Sequence, residues 1–149
     1  DPRTEAASVG AVLQAEAQAG LRDLTTYRGF QARADRVKDD LLSFLLEQKR
    51  AGRRVAAYGA AAKGNTILNY AGVRPDLLPW VFDAAPSKQG KYLPGSHIPI
   101  RSPEHLDEIR PDLLLILPWN IAEEVMAQND RIRQWGGRFV IAVPELEVV

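Results

Sequence analysis

Cysteine is absent from the 149 residues, and that absence excludes disulfides, thiolate nucleophiles and cysteine-ligated metal. Histidine occurs only as His97 and His105, so a metal site would rest on scattered carboxylates, none with recognisable ligand spacing. Neither sign of charge is in excess: 19 Lys and Arg balance 19 Asp and Glu. There is accordingly no basic footprint for nucleic acid and no polybasic membrane anchor. No apolar run approaches transmembrane length, and no signal-peptide pattern opens the chain. Internal repeats, heptads and low-complexity linkers are also missing. Together these absences imply a cytoplasmic protein with no metal, nucleic-acid or membrane partner. The first residue is Asp1 rather than Met, which reads as a piece of a longer or processed polypeptide.

What is present is apolar content of 46%, enough for one domain to bury a core. The chain is organised around residues 55–83. Val55-Ala56-Ala57-Tyr58 reads as a buried strand, Gly59-Ala60-Ala61-Ala62-Lys63-Gly64-Asn65 as a tight small-residue turn entering a helix, and Trp80-Val81-Phe82-Asp83 as a second strand ending on a carboxylate. The turn fits G-x-A-x-x-G, one methyl away from the dinucleotide-binding fingerprint, with Asp83 about where a ribose-binding acid belongs. A phosphate-binding P-loop is excluded, because Asn65 stands where the lysine before Thr66 would be. A plain strand–turn–helix junction is the competing reading. Lys63 is the informative residue: a cation at a helix N-terminus opposes the macrodipole and implies an external anion or an interface carboxylate. Asn65 is expected either to cap that helix or to contact a ligand.

The rest of the chain follows helical and strand periodicities in turn. Residues 1–24 carry Val9, Val12, Leu13, Ala17 and Leu21 at helical spacing, with Gly20 as the stop. A long helix is predicted from about Tyr27 to Ala51, capped by Thr25 or Thr26, with Phe30, Ala34, Val37, Leu41, Phe44 and Leu45 as its apolar stripe and Gly52 as its end. Residues 84–100 form the least regular stretch and are read as an ordered loop with a short strand near residues 97–101; Lys88, Lys91, Tyr92 and His97 make it the richest collection of polar groups. Ser102 caps a short helix, and Leu113-Leu114-Leu115-Ile116-Leu117 reads as a central parallel strand. Asn120 is expected to cap the helix after it, with Ile121, Val125, Met126, Ile132 and Trp135 buried, and residues 139–143 form the last strand. The fold class is therefore α/β: an open, mostly parallel Rossmann-like sheet with helices on both faces, preceded by an N-terminal helical segment. Residues 1–52 are the helical leader packing on the domain, and 53–149 the α/β core. In such sheets ligands collect beyond the carboxyl ends of the strands, where the 59–65 turn, Asp83 with the loop after it, residues 118–120 and Glu145 converge by topology. No nucleophile stands beside a base and no carboxylate pair has a defined geometry, so no catalytic residue is assigned. The residues alone support a phosphorylated or nucleotide-like ligand at the strand ends.

Four stretches carry a closer likeness: Tyr58-Gly59-Ala60-Ala61-Ala62-Lys63-Gly64-Asn65-Thr66; Asp83 with Pro86-Ser87-Lys88-Gln89-Gly90-Lys91-Tyr92-Leu93-Pro94-Gly95-Ser96-His97-Ile98-Pro99-Ile100; Leu117-Pro118-Trp119-Asn120; and Trp135-Gly136-Gly137-Arg138-Phe139. On these the sequence resembles the C-terminal domain of S-adenosylmethionine-dependent sugar C-methyltransferases, which alkylate C3 of nucleotide-linked 4-keto deoxysugars. The resemblance implies a three-domain enzyme with zinc in an N-terminal domain, S-adenosylmethionine in a middle domain, and a C-terminal α/β domain that helps enclose the nucleotide sugar. It further implies that this piece lacks the methyl-donor site, the zinc site and the proton-abstracting residues, and is inactive alone. Its partners would be the nucleotide sugar and the missing N-terminal and middle domains, and no cofactor would bind here. Under that resemblance Lys63, Lys88 and Lys91 are candidates for phosphate or interface charges. Asn65, Tyr92, His97 and Asn120 become candidates for polar substrate contacts, and Asp83 for orienting the loop or touching a sugar hydroxyl. The alternatives are a stand-alone dinucleotide-binding module and a purely structural docking domain.

Overall fold

The structure, a computed structural model, describes residues 6–149; the first five residues of the expected leader helix lie outside the described residues. Two compact units divide between Arg36 and Val37. The first contains α1 (Ala7–Gln18), α2 (Leu24–Arg28) and the start of α3 (Phe30–Arg50). The expected single helix from Tyr27 is interrupted. Asp23, not Thr25 or Thr26, caps α2, its carboxylate accepting from the Thr25 N–H at 2.8 Å, and Gly29 ends that helix before α3 begins. Thr25 and Thr26 lie inside α2, which begins at Leu24, so the cap falls to Asp23.

The second compact unit begins at Val37. The cause is packing: Leu41 and Leu45 of α3 are fully buried in its core. Gly52 stops α3 with φ +68°, as the sequence suggested. Next come β1 (Val55–Tyr58), α4 (Ala62–Tyr70), β2 (Val81–Phe82), β3 (Ile100–Arg101), α5 (Leu106–Ile109), β4 (Leu113–Ile116), α6 (Ala122–Gln128), β5 (Arg138–Ile141) and β6 (Glu147–Val148). The sheet order is β3-β2-β1-β4-β5-β6, that of doubly wound dinucleotide-binding sheets. All neighbours pair parallel except the last: β6, not foreseen from sequence, returns antiparallel against β5.

Strand periodicity of two sends alternate residues to opposite faces. Val55, Ala57, Leu113, Leu115 and Val140 join Leu41, Leu45 and Leu68 on one face. Ala56, Tyr58, Leu114, Ile116 and Phe139 meet Leu106, Val125 and Ile132 on the other. Both faces are thus covered, which is why β1 and β4 read as unbroken apolar runs. Ile121 departs from its expected buried place and stays exposed, because residues 119–121 form a 3-10 turn instead of the first turn of α6.

β2 and β3 are parallel neighbours, so the chain between them must return from the carboxyl end of the sheet to the amino end. It does so without a helix. Residues 91–93 run antiparallel beside residues 98–100: the Leu93 N–H donates to the Ile98 carbonyl at 2.9 Å and the Ile100 N–H to the Lys91 carbonyl at 2.8 Å. The tip of this hairpin is held to the far end of α4, where Asn69 Nδ2 donates to the Pro94 carbonyl at 3.0 Å.

The glycines of the β1–α4 turn are required by close packing. Gly59 has φ +88°, and a Cβ there would fall 2.6 Å from Pro118 Cδ. A Cβ on Gly64 would fall 2.5 Å from Leu117 Cβ. Gly64→Ala should therefore destabilise by about 1–2 kcal/mol in urea unfolding, overpacking outweighing alanine's helix propensity. Unchanged or increased stability would show that the segment after β4 yields.

Candidate functional site

Above the carboxyl ends of β1, β2 and β4 the chain builds a rim from three segments. The first is the turn at 59–61, the second Asp83 with the residues after it, the third residues 117–120. Gly59 N–H donates to the Phe82 carbonyl at 2.7 Å and Leu117 N–H to the Tyr58 carbonyl at 3.0 Å, so the three segments are extensions of paired strands.

Asp83 is 7% exposed and is the hub. One carboxylate oxygen accepts from the Ala60 N–H at 2.7 Å and from Lys88 Nζ at 3.0 Å. The other accepts from the Ala85 N–H at 2.8 Å. Gln89 Nε2 donates to the Asp83 carbonyl at 2.9 Å, which ties the following turn down a second time. Burial alone would raise the carboxyl pKa, but the Ala85 N–H, Lys88 and the Ala60 N–H together hold it below its ordinary 3.8. The acid that a dinucleotide ribose would need is thus spent on the protein's own backbone. The amide of Ala60, free to meet a pyrophosphate in a dinucleotide-binding turn, is likewise taken.

On the other side of the turn lies Lys63, half-buried in the first turn of α4. Its ammonium donates to Asn120 Oδ1 and stands 5.0 Å from the centre of the Trp119 ring. Both partners are neutral, and among the described residues no carboxylate lies within ion-pair distance of it. Lys88 differs, being matched by Asp83. The α4 N-terminus has no side-chain cap, Ala61 occupying the position. Asn120, expected as a cap for α6, acts instead as the acceptor for Lys63.

The eight sequence-predicted site residues therefore separate into two groups. Lys63, Asp83, Lys88 and Asn120 meet on the rim. Asn65 is inside α4 rather than at its start, and two residues from Lys63 it points elsewhere around the helix. Its Oδ1 is enclosed without a hydrogen-bond partner, and it shares a face with Asn69, four residues on, which holds the hairpin. Lys91 and Tyr92 are exposed on the outer strand of that hairpin, Tyr92 bridging to Pro99. His97 is exposed at the tip with φ +57°. It precedes Arg101 by four residues on the ascending strand, so it lies roughly 10 Å toward the amino ends of the sheet. Sequence reasoning placed the whole loop at the carboxyl rim; the parallel return carries its second half away. Trp119 is the rim residue that sequence reasoning left unassigned, although it stood beside Asn120 in a quoted motif. Glu145 is exposed after β5.

The depressed Asp83 pKa has a definite sign in folding. Its ionised form is favoured by the native state, so its contribution is complete above about pH 4 and is lost as pH falls through the native value. Asp83→Ala, which strands the Ala60 and Ala85 amides, should cost about 2 kcal/mol at pH 7 by chemical denaturation. The deficit should shrink below about pH 4. A pH-independent deficit would assign the loss to packing rather than charge.

Comparison with known proteins bears on this rim. The family model described as the C-methyltransferase C-terminal domain matches residues 1–144. C-methyltransferase NovU of Streptomyces niveus is 36% identical over 142 residues, covering 95% of this chain and 34% of that protein. The chain thus spans about a third of the length of that relative. Among solved structures, the UDP-D-quinovosamine 4-dehydrogenase of Vibrio fischeri is similar with a TM-score of 0.49 and 14% identity, over 65% of this chain and 93% of that one. A family model matched from the leading helices to the β5–β6 turn, together with that identity to a C-methyltransferase, shows that the chain belongs to the C-methyltransferase C-terminal domain family.

Proposed function

We propose that this domain positions the substrate in an S-adenosylmethionine-dependent C-methyltransferase whose substrate is a nucleotide-linked 4-keto deoxysugar. The observation that carries the reading is Lys63: a half-buried cation at the N-terminus of α4, on the rim beyond the strands, matched among the described residues by the amide of Asn120 and the face of Trp119. A diphosphate is the counter-ion such a lysine lacks, and the helix N-terminus adds to its pull. Lys88, already paired with Asp83, would contribute a second, weaker attraction. Asn120 and the Trp119 ring would hold the ammonium in place before the anion arrives.

The sugar chemistry assigns the remaining work elsewhere. A 4-keto group acidifies the C3 proton; a base forms the enolate, and that carbon takes the methyl group supplied by S-adenosylmethionine. Among the described residues Asp83 is committed to Ala60, Ala85 and Lys88 and Pro118 crowds the turn at Gly59, which supports a methyl-donor site elsewhere in the enzyme. No group of three His, Asp or Glu side chains gathers among them for zinc. Donor, base and metal would therefore belong to other parts of the enzyme, and the contribution of this domain is orientation. The same engagement of Asp83 argues against a dinucleotide module.

Calorimetric titration tests the reading. A thymidine-diphosphate sugar should bind the domain measurably, S-adenosylmethionine should not, and Lys63→Gln should weaken the sugar nucleotide about tenfold, the loss of one charge-assisted contact. Tight S-adenosylmethionine binding with no sugar-nucleotide signal would overturn it.

A further inference from the structure

The rim carries apolar surface that the core of the sheet does not use. Residues 119–121 form a 3-10 turn between β4 and α6, and two of its three side chains are large and apolar. Trp119 is half-buried and Ile121 is 42% exposed. Neither belongs to the core clusters formed by the described residues; α6 buries Ala122 and Val125 instead. A lone exposed isoleucine needs no explanation. This one follows directly on Trp119 and Asn120, whose ring and amide oxygen face the Lys63 ammonium. A cation and an apolar shelf thus adjoin on the rim.

The chain itself bounds that shelf on one side. Asp83 joins the Ala60 and Ala85 amides and Lys88, so the place where a dinucleotide sets its ribose is taken. Pro118 packs against the turn at Gly59. A ligand whose phosphates meet Lys63 therefore extends over residues 119–121. Which part of it lies there follows from the reaction. With the methyl donor and the proton-abstracting group in other parts of the enzyme, the keto sugar must turn toward them. The nucleobase makes and breaks no bond and is free to stay on this domain. It is also the flat, π-rich end of the molecule, which suits an indole beside a branched aliphatic side chain.

We propose that Trp119 and Ile121 form a nucleobase shelf in the nucleotide-sugar site, one pentose away from the diphosphate at Lys63. The inference rests on the rim reading given above. Stacking uses the π-face that every base presents, so the shelf separates a nucleotide from a bare diphosphate and does not separate one pyrimidine from another.

Calorimetric titration of the 149-residue chain with thymidine diphosphate, uridine diphosphate and inorganic pyrophosphate tests it. Both nucleotides should bind about tenfold more tightly than pyrophosphate, and within about threefold of each other. Trp119→Leu should remove that preference and Trp119→Phe should keep most of it. Ile121→Ser, at an exposed position, should reduce it about threefold with pyrophosphate affinity unchanged. Tryptophan fluorescence should be quenched by the nucleotides but not by pyrophosphate, and the quenching should vanish in Trp119→Phe. Equal affinity for nucleotides and pyrophosphate overturns the proposal, as does a preference that survives both Trp119→Leu and Ile121→Ser. A preference seen only with a thymidine-diphosphate sugar, and lost in those variants, overturns it by assigning the shelf to the sugar. Weaker pyrophosphate binding in Lys63→Gln keeps the rim reading standing whatever becomes of the shelf. Unchanged pyrophosphate binding in that variant, or no binding of any of the three ligands, removes the rim reading and the shelf with it.

Discussion

The carboxylate of Asp83 holds the carboxyl rim of this sheet together. It joins the turn after β1, through the Ala60 N–H, to the segment after β2, through the Ala85 N–H and Lys88. A buried acid of this kind is tolerable only because each oxygen is satisfied, and it would be costly without those donors. The consequence is chemical as much as structural. The chain keeps the strand order and the glycine turn of a dinucleotide-binding fold, yet its own side chain and backbone occupy the groups that would grasp a dinucleotide. Beside them stands Lys63, its ammonium held by Asn120 and facing the Trp119 ring.

Much of this architecture was legible in the sequence. The unbroken apolar runs at 55–58 and 113–117 gave two central strands, because burial on both faces removes the usual alternation. Gly52 gave a helix end, since few other residues accept a left-handed φ. The short strand β6 was not legible: Glu147 and Val148 are exposed, so no hydrophobic pattern marks them, and only pairing with β5 defines them. The break at Gly29 was hidden by the continuous helical spacing around it.

The site was half legible, for a physical reason. Residue types told which groups were worth attention, and the carboxyl-end rule gathered Lys63, Asp83 and Asn120, which the structure places on one rim. The same rule was then extended along the whole loop after β2, although two parallel neighbours oblige that loop to cross the sheet from end to end. His97 and Tyr92 belong to the crossing. Their hairpin is anchored by Asn69 and by Arg74, which donates to the Gly95 carbonyl at 3.0 Å, and these contacts account for the proline and glycine at its tip without a ligand. The helix period similarly separates Asn65 from Lys63, a distinction that adjacency in the sequence conceals.

The central claim is that one rim, and not the hairpin, receives a diphosphate-bearing ligand. Amide chemical-shift mapping during titration with thymidine diphosphate addresses it most directly. The account requires the largest changes at residues 59–63, 83–88 and 119–120, with residues 94–97 unmoved. Shifts centred on the hairpin tip, or none at the rim at saturating ligand, would contradict it.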